Sequence, residues 1–305
     1  MKIFSHGKAI SFLQYFTDSV EDYWHILYPL TDPQERKNDR YLYFYDISKK
    51  ALDFGGPFDE NGIYLFAGYD GGWHLHALEI AQYALASWLA WRKTADSVWL
   101  ERAMRHCDWL RENQAPDGAW YIEHKNPKYH DLPSPWPSGM AQGLAVSALL
   151  RAWRYSGDGS YLTAAAWAAD FLERDVEDGG VRRGFEQGFV YEEYPRKKLS
   201  GVLNGYITAI FGLWELSEQD GSFGDMFHKN IQNLKKILPL YDMGFWSYYG
   251  LDGTVASGFY HRYVITQLRA LGELDPFFAD YAKRFEAYTK NPFYIAKAVY
   301  AKLKR

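Results

Sequence analysis

The chain has 305 residues and one cysteine, Cys107. A single thiol excludes an internal disulfide and any cysteine-built metal cluster. Cys107 stands beside Trp109 in a helical stretch and reads as a small core residue. No run approaches the roughly 18 apolar residues of a membrane span. Within residues 1–30, Asp18, Glu21, Asp22 and His25 interrupt any apolar leader core, which is the pattern of a cytoplasmic protein. A basic surplus is missing too, since the formal net charge is -4, so nucleic acid is not an expected partner. There is no phosphate-binding P-loop, no dinucleotide fingerprint and no Gly-x-Ser-x-Gly elbow. His74, His76 and Glu79 are the nearest approach to a metal motif. Two histidines two apart on a helix face different ways, and His76 with Glu79 lacks a visible third ligand, so no metal site is expected.

Aromatic residues are abundant: 18%, with 25 Tyr and 12 Trp. A buried phenol needs a hydrogen-bond partner, so surplus Tyr and Trp suit a wet cleft on which sugar faces stack. An aromatic-rich core explains the composition equally well.

The first 70 residues form one unit of the pattern. Arg40 to Ile47 is aromatic and β-branched, and Gly55-Gly56-Pro57 breaks it, which predicts a short strand or hairpin. Residues 1–70 are thus an arm, and 71–305 a helical domain. Helical spacing runs over 74–94 and 97–113, with Ser97 as N-cap, then over 139–156, 160–173, 203–217 and 223–238. It ends with 260–271, 276–288 and 293–304. Helix, helix, then a Gly/aromatic loop recurs roughly every 45–65 residues. The expected fold is all-α: an (α/α) toroid, or barrel, of about four helical hairpins with a short β-containing N-terminal arm. An α-solenoid is the alternative, although its repeats are shorter and more regular.

Loops at one end of such a ring would meet in a cleft. One of them, Tyr191-Glu192-Glu193-Tyr194-Pro195, follows Arg182 and Arg183 and precedes Leu203-Asn204-Gly205. Two carboxylates flanked by two phenols form an acid/base kit. The same residues also suit a solvated acidic turn. Ser257-Gly258-Phe259-Tyr260-His261-Arg262 opens a helix and favours an anion there, or else supplies packing and capping residues.

Four ordered segments together resemble the C-terminal catalytic domain of the D-glucuronyl C5-epimerases, enzymes of heparin and heparan sulfate maturation. Trp136-Pro137-Ser138-Gly139-Met140-Ala141-Gln142-Gly143 resembles the family's Ser-Ala-Met-(Ala/Gly)-Gln-Gly helix start. Tyr191 to Pro195 with Leu203-Asn204-Gly205 resembles its Tyr-Glu-Glu-Tyr-Pro … Leu-Asn-Gly stretch. Leu238-Pro239-Leu240-Tyr241-Asp242 with Tyr249, and Tyr260-His261 with Gln267-Leu268, complete the set. The likeness runs from about Trp136 to Leu271.

The resemblance implies an (α/α) barrel and a cofactor-free isomerase acting on a heparan sulfate/heparosan-like polysaccharide. It implies catalytic roles for Glu193, Tyr194, Tyr249 and Tyr260. Substrate-binding candidates are Trp136, Gln142, Arg183, Tyr191, Asn204, His261 and Arg262. A homodimer is one assembly the larger family members suggest. The sequence departs from the family after Tyr249. The family places Asp-Leu-Arg-His around that tyrosine, whereas Tyr249 here is followed by Gly250-Leu251-Asp252, so an arginine expected to grip acidic substrate is missing at Asp252. The mechanism implied is removal of the C5 proton of glucuronate from one face and its return on the other, giving L-iduronate. Glu193 or Tyr194 serves one face and Tyr260 the other. Arg183, Arg262, His261 and Asn204 are the candidates for stabilising the carbanion. A uronic-acid polysaccharide lyase, a glycoside hydrolase pairing Glu192 or Glu193 with Asp178 or Asp242, and a non-catalytic glycan binder are the competing readings.

Overall fold

The computed structural model describes residues 10–17, 21, 25–68 and 70–304. Much of the expectation for residues 1–30, including Asp18 and Asp22, lies outside the described residues. The described chain is mostly helical. Two short helices, α1 (Pro33–Asn38) and α2 (Lys49–Leu52), precede a hairpin of β1 (Phe66–Ala67) and β2 (Trp73–His74). Long helices follow in pairs. They are α3 (Ala77–Thr94) with α4 (Ser97–Glu112), and α5 (Gly139–Ser156) with α6 (Gly159–Phe171). A second hairpin, β3 (Arg182–Phe185) and β4 (Gly188–Tyr191), leads to α7 (Leu203–Ser217) and α8 (Gly224–Ile237). The last helices are α9 (Gly258–Leu271), α10 (Pro276–Thr289) and α11 (Pro292–Leu303).

The helix starts are chemically marked. Asp96, Ser138, Asp158, Ser257, Asp275 and Asn291 each accept a hydrogen bond from a backbone N–H of the first turn. Pro276 and Pro292 stand where a missing N–H costs nothing. The cap of α4 is Asp96 rather than the expected Ser97, because a carboxylate one residue earlier reaches Val98 N.

Burial divides the helices into two kinds. Every residue of α5 from Gly139 to Ala152, and of α7 from Leu203 to Leu216, is buried. In α4 only Ala103, His106, Cys107 and Leu110 are buried, a single stripe. A helix apolar all round must be enclosed by neighbours, whereas a striped one faces solvent. Accordingly α3 packs on α5, α5 on α7 and α7 on α9, while α4, α6, α8 and α10 each back their own partner. The α5–α7 crossing is close: a Cβ on Gly143 would lie 2.5 Å from Ala209 Cα, and one on Gly212 2.6 Å from Gly143 O. Only glycine permits that approach.

The stretch 40–47 is not the expected strand. Its one ladder contact is an isolated bridge between Leu30 and Tyr45. Tyr43, Phe44 and Tyr45 are all buried, so their side chains cannot alternate between a core face and solvent. Arg151 captures the carbonyls of Tyr41 and Leu42 instead, at 2.9 and 2.6 Å. Its guanidinium also forks onto Glu215 at 2.9 and 3.1 Å. Phe44 stacks on Phe211 of α7 (4.1 Å), and the hydroxyls of Tyr45 and Tyr263 of α9 pair at 2.6 Å. These residues share one apolar core with the long helices.

Candidate active site

The acidic loop is set by its neighbours. Tyr191 ends β4 opposite Arg182, and the next residues pass between the first turns of α5 and α7. Gly139 N donates to Glu192 O at 2.8 Å. A Cβ on Gly139 would meet Tyr191 Cβ at 2.9 Å, and one on Gly205 would meet Glu193 Oε2 at 2.9 Å. Both helices therefore carry a glycine in the first turn where the loop crosses them.

The two glutamates differ in their company. Glu192 accepts from Ser200 N and Gly201 N, both at 2.9 Å, and from Arg183 Nε at 3.1 Å. It ties the loop to the entrance of α7. Glu193 is 5% exposed, and its buried Oε2 has no partner. Burial pushes its carboxyl up to about 7, aided by Glu79 and Glu192 and opposed by a hydrogen bond from Tyr194 and by Lys128. A carboxyl near 7 with an unpartnered oxygen is equipped to exchange a proton at neutral pH.

Tyr194 and Tyr260 line the same cavity as Glu193, and Tyr249 packs on Tyr260. Tyr194 is tilted against Trp136 and Tyr129, with centroids 5.5 and 4.8 Å away. Its hydroxyl is held protonated first by burial and then by Glu193, Tyr249 and Tyr260. Tyr260 lies in the first turn of α9, its N–H held by Ser257 Oγ at 3.3 Å. Its ring meets Tyr249 edge to face at 4.7 Å. Leu203 N donates to Tyr249 O at 3.0 Å, which fixes the tyrosine loop to the start of α7. Lys128, exposed at the mouth, places its ammonium 5.0 Å from the Tyr129 ring and 5.7 Å from that of Tyr249.

A cavity of about 190 Å³ opens beside these groups. Trp136, Glu193, Tyr194, Asn204 and Tyr260, all expected from the sequence, line it. Asn204 Oδ1 is buried there without a partner. Lys50, His76, Glu79, Gln82, His124 and Asn126 line it as well and were not foreseen as site residues. Only the His76–Glu79 spacing had signalled them, as a metal motif. His74 lies in β2 and His76 caps α3, so neither sits inside a helix. Burial, with His124 nearby, pushes the His76 imidazole down to about 3, so it is neutral at pH 7.

The other expected binding residues are occupied elsewhere. Gln142 donates to Gly118 O and Ala168 O at 2.9 and 3.2 Å. The Tyr191 hydroxyl donates to Glu173 and accepts from Asn230 at 2.9 Å. Arg183 is paired with Glu192 and Glu177. His261 stacks on Trp246 at 3.8 Å, between Ser247 Oγ (2.7 Å) and Phe285 O (3.0 Å). Arg262 Nε donates to Gln14 O at 3.1 Å and borders a separate groove of about 700 Å³ between residues 26–29 and helices α9 and α10. That groove is larger, but its Arg269 and Lys290 both pair with Glu286, and Glu193, Tyr194, Tyr249 and Tyr260 do not line it.

Helical hairpins thus bring a buried carboxyl and phenols to one small cavity, a set of groups suited to acid–base chemistry. Residues 112–287, more than half of the chain, match the model of the D-glucuronyl C5-epimerase C-terminus, and the chain belongs to that isomerase family. It is 35% identical over 161 residues to a D-glucuronyl C5-epimerase of Caenorhabditis elegans, covering 47% of this chain and 26% of that protein. It is 28% identical over 141 residues to an uncharacterised protein of Methanocaldococcus jannaschii, covering 44% of this chain and 46% of that one. The chain thus spans less than half the length of both relatives. Among the described residues no helix is long and apolar enough to cross a membrane.

Proposed function

We propose that this protein inverts C5 of D-glucuronate residues within an acidic polysaccharide of the heparan sulfate/heparosan type, giving L-iduronate. Glu193 carries the reading: it lines the cavity together with Tyr260, and its buried Oε2 has no partner. Family membership supports the same chemistry. A cavity smaller than the roughly 300–1,000 Å³ of drug-sized pockets suits one sugar ring.

The C5–H bond lies next to the substrate carboxylate. Ionised Glu193 takes that proton, and the electron pair of the C–H bond spreads onto the carboxylate as an enediolate. The Tyr260 O–H then gives its proton to C5 from the opposite face. Tyr249, edge-on to Tyr260, and Lys128 above Tyr249 stabilise the phenolate left behind. Tyr194 holds Glu193 and stays protonated. Asn204, in the first turn of α7, offers its partnerless Oδ1 as an acceptor for a substrate hydroxyl. Proton transfer from Glu193 to Tyr260 through solvent restores the starting state.

The architecture that goes with this reading is an (α/α) toroid of four hairpins, residues 71–305, with residues 1–70 as an arm that completes the wall. It is supported by where the lining comes from. Leu78 and Glu79 stand near the start of α3, Met140 of α5, Asn204 of α7 and Tyr260 of α9.

The test is product analysis. A glucuronate-containing polymer incubated with the protein should develop iduronate signals in its proton spectrum. Rising ultraviolet absorbance would instead identify a lyase, and new reducing ends a hydrolase. Either in place of iduronate would reject the epimerase reading.

A further inference from the structure

The reaction needs a cation beside the substrate carboxylate, and the sequence has Asp252 where the family's arginine is expected. Arg183 and Arg262 do not replace it, since the first is paired with Glu192 and the second borders another groove. Lys128 stands over phenol rings at the mouth. His76 and His124 line the cavity, but burial pushes both imidazoles toward the neutral form.

We infer that Lys50 binds the carboxylate of the reacting uronate. This rests on the epimerase reading for the reaction but makes a claim about binding that can be tested without it. Lys50 belongs to α2, a single turn with the sequence Lys49-Lys50-Ala51-Leu52. That turn sends its two lysines opposite ways. Lys49 is exposed and pairs with Glu21 at 2.5 Å and Asp53 at 3.9 Å. Lys50 is 3% exposed and lines the cavity with Glu79, Gln82 and Glu193.

An ammonium group in a confined cavity attracts any further anion brought beside it. Glu79, whose charge Lys50 stabilises, lines the same cavity. A uronate entering beside Glu193 and Glu79 brings a further negative charge, and the enediolate brings one more. Among the described residues that line the cavity, Lys50 is the one lysine or arginine. Its ammonium therefore selects a sugar acid over a neutral sugar and gains importance as charge develops. Lys50 lies outside residues 112–287, so the arm rather than the matched family region would supply this cation.

The experiment compares binding of a glucuronate polymer with that of the same polymer after reduction of its carboxyls to primary alcohols. Wild type should prefer the acid form by about tenfold to a hundredfold, the range of one charge-assisted hydrogen bond. Lys50→Met should lose that preference, Lys50→Arg should keep part of it, and Arg262→Met should keep all of it. Methionine fills a similar volume without the charge, and the binding ratios are compared on variants whose thermal melts show them folded. Lys50→Gln, judged by the same ratio, provides a second replacement. A folded Lys50→Met that still discriminates like wild type overturns the inference. Absence of C5 exchange in wild type would overturn the epimerase reading instead, and the binding ratio would still decide the role of Lys50.

Discussion

The carboxylate of Glu193 lies against the backbone of Gly205. A methyl group on that glycine would stand 2.9 Å from Oε2 and 3.1 Å from Glu193 Cβ. Gly205 belongs to α7, where alanine would be the better helix former by about 1 kcal/mol. The absence of a side chain there follows from the need to seat the glutamate.

Gly205→Ala should therefore separate activity from stability. The added methyl pushes the far end of a side chain, which can swing away, and the helix gains propensity. Net stability should change by no more than about 1 kcal/mol. A misplacement near 1 Å costs about a hundredfold in rate, so C5 exchange should drop by one to two orders of magnitude. Chemical denaturation and exchange kinetics on the same sample test this. Equal losses in both would place Gly205 in the core alone.

Glu193→Gln should raise stability at neutral and alkaline pH. The carboxyl moves from an ordinary 4.5 to about 7 on folding. A folded-state value above the unfolded one means the native protein holds the proton more tightly between those limits. Native stability then falls as pH rises from about 4.5 to about 7, by up to about 3 kcal/mol. The glutamine variant lacks this slope. The difference in unfolding free energy should be near zero at pH 4 and reach its maximum above pH 7. A difference independent of pH would contradict the buried, high-pKa carboxyl.

The same group sets the pH–rate profile. If ionised Glu193 takes the C5 proton, kcat/KM should climb with pH and level off above an inflection near 7. Tyr260→Phe should lower the plateau by about a hundredfold or more while leaving the inflection in place. A profile that falls with rising pH through 7 would make Glu193 the acid instead.

Arg151 links the arm to the helices. It is fully buried, forks onto Glu215, and also donates to the carbonyls of Tyr41, Leu42 and Ser147. Although burial alone would raise it, the Glu215 carboxyl is held below its usual range by Arg151. Arg151→Met leaves Glu215 as an unpaired buried carboxylate, which costs about 3–5 kcal/mol. Hydrogen exchange should accelerate around residues 41–47 before the long helices lose protection.

Hairpin helices were legible because their signals are local. Apolar period, Asp or Ser caps and N-terminal prolines mark α3 to α11, and the expected ranges for 139–156 and 203–217 coincide with α5 and α7. The stretch 40–47 was misread because its aromatic, β-branched run has the composition of a strand. Its backbone partners, above all Arg151, lie about 110 residues away in the chain. At the site, Glu193, Tyr194, Asn204, Trp136 and Tyr260 are clustered in the loops and helix starts that the motifs marked. Arg183 and Arg262 looked equally suitable by type. Which way an arginine points depends on Glu192 in one case and on Gln14 O in the other, and no local pattern encodes either. Lys50 had no signal at all, because Lys49 beside it has the same side chain and the opposite orientation.

Isotope exchange tests the central claim most directly. A glucuronate polymer held with the protein in D2O should gain deuterium at C5, in both the recovered glucuronate and the iduronate formed, with no shortening of the chain. Glu193→Gln, folded to the same thermal midpoint or above at pH 7, should show no incorporation. Deuterium entry at the wild-type rate in that variant, or none in wild type on polymer it demonstrably binds, would contradict the account.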